Sequence, residues 1–181
     1  PYEAVLTHGF ILDEKGLKMS KSVGNVVDPI KVCNDLGADI LRLWSVSADF
    51  SSPVKAGKDV LVKVSGRYRK IRNTIRFLLG ILNDFKHSDD VSLNNYDKWA
   101  LATFFEREDK WSELLDNYDL HGFSEDFGLF IGELSSGYLN AIKDRVYADK
   151  DESNSRKSAL TVSSILLRRI LIWISPIFLV K

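Results

Sequence analysis

Apolar and polar positions follow two regimes along the chain. From Tyr2 to Leu12 β-forming residues dominate, and Asp13-Glu14-Lys15-Gly16 follows as a turn signal, so the pattern predicts a hairpin there. Lys18 to Val27 is small and polar, with Gly24 and Asn25 inside it, and reads as a loop. Asp28-Pro29 predicts a helix start. The Asp28 carboxylate can accept from the free N–H groups of a first turn, and Pro29 has its φ preset for one. That helix should stop near Gly37, with a second short helix starting near Asp39 and using Ile40, Leu41, Leu43 and Trp44 as apolar positions. Ser47 to Gly57, with Pro53, breaks the pattern.

Beyond Gly57 the apolar period is helical. Val60, Val64, Tyr68, Ile71, Ile75, Leu78 and Leu82 form one stripe of a long helix. Lys86 to Asn95 is polar and reads as a linker. Trp99, Ala102, Phe105, Trp111, Leu114, Leu115 and Tyr118 suggest a second long helix. A third is expected from about Ser124 to Tyr147, and a fourth from about Ser155 to Ile174 after a polar loop. Long amphipathic helices on short links predict a helical bundle. The fold expected is mainly α: a short β-hairpin and loop segment over residues 1–56, then a helical domain over residues 57–181.

Composition narrows the classes. The chain has 181 residues, 45% hydrophobic and 28% charged, which excludes disordered and low-complexity chains. Cys33 is the only cysteine, so a disulfide scaffold or a Cys-based zinc site within the chain is excluded. The longest apolar run, Ile170 to Val180, contains Ser175 and Pro176 and is too short to span a bilayer. The chain begins at Pro1 without a secretory signal, and we read it as a piece of a longer protein. Net charge is zero, yet residues 55–76 carry 8 positive and 1 negative charges while residues 84–126 carry 4 positive and 12 negative. A polyanionic partner on the basic stretch and structural pairing with the acidic one are both open readings.

The stretch with chemistry in it is Lys18-Met19-Ser20-Lys21-Ser22, followed by Val23-Gly24-Asn25. Two lysines flank small hydroxyl residues in a loop that leads to a capped helix, which suits a phosphate chain. These five residues also spell the KMSKS signature, and the chain here resembles the class I aminoacyl-tRNA synthetases. His8-Gly9-Phe10, Gly24-Asn25-Val26-Val27-Asp28-Pro29, Gly37-Ala38-Asp39 and Leu41-Arg42-Leu43-Trp44 share the likeness. Tyr68 to Leu79, Asn83-Asp84-Phe85, Asp97-Lys98-Trp99-Ala100 and Ile142 to Tyr147 resemble the isoleucyl branch rather than the valyl or leucyl ones.

The resemblance implies a function. Lys18, Met19, Ser20, Lys21 and Ser22 would bind ATP during amino-acid activation, with Lys21 and Lys18 catalytic. ATP and Mg²⁺ would serve the parent enzyme, with no metal ligands in this chain. Residues 1–56 would be the end of the catalytic domain with a stem-contact segment, and residues 57–181 a truncated anticodon-binding domain. Its partner would be tRNA(Ile), with Arg67, Arg69, Lys70, Arg72 and Arg76 facing it. The isoleucine pocket, the editing domain and the first ATP motif would lie outside the chain, so the piece should be inactive alone. A cytoplasmic location and no membrane contact complete the expectation. A valyl-tRNA synthetase fragment and a purely RNA-binding helical module are the alternatives. Trp99 and Trp111 could stack on unpaired bases, but their spacing with Phe105 and Leu115 favours core packing. Trp44 and Trp173 read as core, His121 as a loop or cap residue, and Cys33 as a small buried hydrophobe.

Overall fold

The computed structural model describes residues 2–86 and 91–178. The N-terminal segment forms a single short strand, β1 (Ile11–Leu12). Its partner is β2 (Val54–Lys55), parallel and in register Ile11 to Val54 and Leu12 to Lys55. The expected hairpin shrinks to one antiparallel bridge between Leu12 and Lys18. Hydrogen bonds from the Gly9, Val54 and Ala56 N–H groups to the Phe50, Phe10 and Leu12 carbonyls extend the long-range pairing. Gly9 allows it: a Cβ there would lie 2.4 Å from the Ser52 carbonyl oxygen.

Two short helices follow. α1 (Pro29–Leu36) starts where Asp28 accepts the Ile30 N–H at 2.9 Å. It ends at Gly37, whose φ of +97° suits a residue without a side chain. α2 (Ala38–Ser47) buries Ile40 and Leu43, which join the core of the helical domain. The two halves of the chain thus share one core.

α3 (Lys58–Ile81) is the expected long helix, with Leu61, Val64, Ile71, Thr74, Leu78 and Ile81 buried. α4 (Asn95–Asp116) is also present, but its first half is rotated from the expected phase. Ala100, Leu101, Phe104 and Trp111 are buried, whereas Trp99, Phe105 and Tyr118 are exposed. Trp111 is buried as expected, and Leu114 and Leu115 pack against the core. The miss lies in the first half of α4, where Ala100, Leu101 and Phe104 face inward instead of Trp99, Ala102 and Phe105.

The expected third helix is three: α5 (Leu120–Ser136), α6 (Tyr138–Ala141) and α7 (Lys143–Tyr147). The break falls at Gly137, where a Cβ would come within 2.8 Å of the Glu133 carbonyl oxygen. The bend carries Tyr138 into the bundle, where its hydroxyl donates to Asp97 at 2.8 Å. α8 (Asn154–Ile174) closes the bundle. Trp111 sits at its centre, fully buried, with Phe123, Phe127, Phe130 and Trp173 within 6 Å between ring centroids.

After α8, Ile177 is buried, and the Arg42 guanidinium donates to the Pro176 carbonyl at 2.7 Å. Ile172 is exposed, while Leu179 and Val180, part of the expected apolar end, lie outside the described residues. So does the middle of the expected 86–95 linker. Among the described residues no helix is long and apolar enough to cross a membrane.

Candidate functional site

The lysine loop is built by one asparagine. Ser20 to Gly24 is a tight turn: the Ser20 carbonyl accepts the Val23 and Gly24 N–H groups, and Gly24 takes a φ of +74°. The Asn25 side chain closes it. Its Oδ1 accepts the Ser20 N–H at 2.8 Å, and its Nδ2 donates to the Lys18 carbonyl at 3.3 Å and to Asp13 Oδ2 at 2.9 Å. Asp13 also accepts the Leu17 N–H at 2.7 Å. These bonds, the one from Asn25 foremost, hold the Asp13 carboxyl below the ordinary carboxylate range.

Lys21 and Ser22 form the exposed apex of the turn, with the Ser22 and Ser20 hydroxyls 2.6 Å apart. Among the described residues the backbone N–H groups of Lys21 and Ser22 meet no acceptor. Lys18 Nζ lies 5.6 Å from the centre of the Phe10 ring. Met19 is half-buried. A cation, two free N–H groups and two hydroxyls on one exposed turn suit a phosphate chain. The residues present therefore fit the phosphate groups of a nucleotide. They do not fit a metal ion: among the described residues no group of three or more His, Cys, Asp or Glu side chains could hold one.

The five basic residues expected to face RNA divide. The Arg67 guanidinium pairs with Glu125 at 2.6 Å and reaches the Ser47 and Ser124 hydroxyls, tying α2, α3 and α5 together. Arg69, Lys70, Arg72 and Arg76 are exposed and enter no ion pair among the described residues. Arg69, Arg72 and Arg76 are spaced three and four apart and share one face of α3. Lys70 turns toward α5 and, with Asn73, Ser135 and Lys143, lines a notch of about 240 Å³. Exposed basic side chains are what phosphate contacts require.

Besides Glu125, which pairs with Arg67, three carboxylates of the acidic stretch are buried and find their partners away from α3. Asp97 is fully buried and accepts from Tyr138, Ser158 and both Nη atoms of Arg145. Burial pushes its pKa up, but the hydrogen bonds from Arg145, Ser158 and Tyr138 outweigh it and hold the carboxyl below the ordinary range. The same burial and the Asp97 charge push the Tyr138 phenol far up. Asp126 takes Arg107, Lys110 and the Trp111 indole N–H, and Glu108 takes Arg169 and the Trp173 indole N–H. The sequence reading missed Asn25, Asp13 and Asp97 as organisers. Trp99, expected in the core, is 55% exposed and stacks on Tyr96 at 5.3 Å. His121 Nδ1 lies 2.7 Å from the Ser47 carbonyl oxygen, and Cys33 is half-buried.

Comparison with known proteins bears on both halves. Residues 1–56 match the family model for tRNA synthetases class I (I, L, M and V). Residues 97–178 match the anticodon-binding domain of tRNA ligase. An isoleucine–tRNA ligase of Desulfotalea psychrophila is 45% identical over 98% of this chain and 19% of its own length. One of Carboxydothermus hydrogenoformans is 46% identical over 98% of the chain and 20% of its own length. The chain thus spans about a fifth of the curated relatives it matches. Among solved structures, Mycobacterium tuberculosis methionyl-tRNA synthetase with methionyl-adenylate superposes with a TM-score of 0.80 at 23% identity, covering 94% of this chain and 35% of that one. An Agrobacterium radiobacter LeuRS–tRNA–LeuAMS complex gives 0.69 at 18%, covering 94% and 21%. At these identities the two structures support the fold alone.

Proposed function

Because the chain belongs to the class I aminoacyl-tRNA synthetases, we propose that it supplies the ATP loop and the tRNA-holding helices of an isoleucine–tRNA ligase. The observation that carries this is the exposed Lys21–Ser22 apex, set by Asn25 within a segment that the class I model matches. Isoleucine–tRNA ligases that align over 98% of this chain support the isoleucyl reading over the valyl one.

In activation an isoleucine carboxylate oxygen attacks the α-phosphorus of ATP. The bond to the bridging oxygen breaks, and pyrophosphate leaves with the electron pair. Negative charge grows on the leaving phosphates, and a fixed cation beside them lowers the barrier. Lys21 fills that role, with the Lys21 and Ser22 N–H groups donating to phosphate oxygens. Lys18 is the second cation, and Met19, Ser20 and Ser22 shape the loop. In the parent enzyme Mg²⁺ would neutralise part of the charge on the ATP phosphates. Arg69, Arg72 and Arg76 take tRNA(Ile) phosphates, with Lys70 at the flank of that face. The reading carries with it a cytoplasmic parent.

The test is Lys21→Ala in the full-length parent. The kcat of isoleucine-dependent ATP–pyrophosphate exchange should fall by roughly 10²-fold with little change in the KM for isoleucine, since the charge it meets develops only in the transition state. An unchanged exchange rate would refute the assignment. The isolated chain should show no exchange at all.

A further inference from the structure

The turn that holds the lysine loop also touches the first residue of α3. Asp13 and Glu14 are adjacent and bind different elements. Asp13 accepts from Asn25, whose side chain grips the Lys18 carbonyl and the Ser20 N–H. Glu14 Oε1 accepts the N–H of Lys58, the first residue of α3, at 2.7 Å. Gly57, before it, makes room: a Cβ there would fall 2.1 Å from Glu14 Cγ. The ladder runs alongside, with the Ala56 N–H on the Leu12 carbonyl at 2.8 Å. α3 has no side-chain cap of its own; Gly57 is its N-cap, and a carboxylate from elsewhere does that work.

We propose that Asp13 and Glu14 are positioning residues that couple the setting of the 18–25 loop, through Asn25, to the N-terminus of α3. The coupling has a direction of use that rests on the function proposed above. Arg69 and Arg72 lie on the same helix, about 20 Å beyond Lys58 at 1.5 Å per residue. A helix transmits a shift of its far end because its backbone bonds keep it stiff along the axis. RNA held on that face therefore bears on Glu14, and Glu14 and Asp13 are joined by one peptide bond. The loop that meets ATP is set by the same turn that caps the RNA-facing helix.

The coupling can be read without any catalytic assay, by amide hydrogen exchange on the chain itself. In the wild type the Ser20 and Leu17 amides should be protected by their side-chain acceptors. Asn25→Ala should speed exchange at Ser20 and leave α4 to α8 unchanged. Glu14→Ala should speed exchange in the first turn of α3 and also at Ser20, by about fivefold, the worth of a lost helix cap. Glu14→Gln keeps an acceptor oxygen and should restore most of the protection at both places. Gly57→Ala, which displaces Glu14 without altering it, should reproduce Glu14→Ala. If Glu14→Ala and Gly57→Ala loosen only α3, or if Ser20 is unprotected in the wild type, the coupling is overturned. Failure of Lys21→Ala to slow exchange of pyrophosphate would instead remove the proposed function and leave the coupling standing. In the full-length parent, Glu14→Ala should lower kcat for activation, with Glu14→Gln near wild type. An equal loss in both variants would count against the relay.

Discussion

Replacing Arg145 with Met should cost the chain 3–5 kcal/mol, the usual cost of stranding a buried charge. Asp97 is fully buried, and Arg145 supplies two of its hydrogen bonds, at 3.0 and 2.5 Å. Met fills much of the volume but donates nothing, so Asp97 keeps only the Tyr138 and Ser158 hydroxyls. Arg145 also donates to the Ser155 carbonyl at 2.7 Å, so the change loosens α7 from α8 as well. Against a typical domain stability of 5–15 kcal/mol, the expected loss is large. Urea unfolding followed by far-UV circular dichroism and tryptophan fluorescence measures it. The double variant with Asp97→Asn should recover a good part of the loss, because no charge is then stranded. The pH dependence has a defined sign. The Asp97 carboxyl titrates below its ordinary value in the folded chain, so its contribution is complete above about pH 4 and drains away as pH falls through the folded pKa. The variant lacks the main contacts that lower that pKa, so the gap between it and the wild type should narrow below about pH 4. A loss under about 1 kcal/mol, or a gap that widens in acid, would refute the reasoning.

The remaining expectations use the rest of the molecule. Arg69→Gln, Arg72→Gln and Arg76→Gln should each lower the salt slope of tRNA binding by roughly 0.9 while leaving the Tm nearly constant, and Arg67→Gln should lower the Tm; filter binding at several salt concentrations beside thermal melts decides. Trp111→Ala should cost about 3–5 kcal/mol and Trp99→Ala no more than about 1 kcal/mol by urea unfolding, and the reverse order would refute the burial of Trp111 over Trp99. Val5, Leu6, Phe10 and Ile11 are all exposed, so the chain should self-associate with rising concentration in sedimentation, and Phe10→Ser with Leu6→Ser should suppress it.

Local chemistry was legible wherever a signal and its consequence lie within one turn. Asp28-Pro29 predicts α1 because cap and helix are neighbours, and the structure begins α1 at Pro29. The stripe from Val60 to Leu82 predicts α3 because its other face is polar and basic. The first half of α4 resisted because Trp99 and Phe105 on one side look as apolar as Leu101 and Phe104 on the other, while Trp111 further along is buried as expected. What decides between the two sides is α5, a partner that periodicity does not contain: three of its phenylalanines meet Trp111, whose indole N–H donates to Asp126 at 2.8 Å. Asp97 was invisible for the same reason. An aspartate near a helix start reads as a solvent-facing dipole partner, and its burial depends on α7 and α8, some fifty positions on.

The loop shows the same boundary inside one site. Lys18 to Ser22 announces itself through composition and likeness, because cations and hydroxyls are the chemistry. Asn25, Asp13 and Glu14 do not, because each of those residue types is ordinary in a turn. Their work is done by hydrogen bonds whose partners lie 5, 12 and 44 positions away, and only the last of these crosses into the helical domain. That spread has a physical sense. A flexible loop with two lysines would meet phosphate in many geometries, and charge alone cannot select one. An amide that satisfies a carbonyl on one side of Met19 and an N–H on the other removes that freedom before the ligand arrives, as preorganisation requires. The selecting residues must therefore be short, polar and anchored to a firmer element. Here that element is α3, reached through Glu14. A sequence can show which residues meet the phosphate, but the residues that hold them still are identified by what they are anchored to.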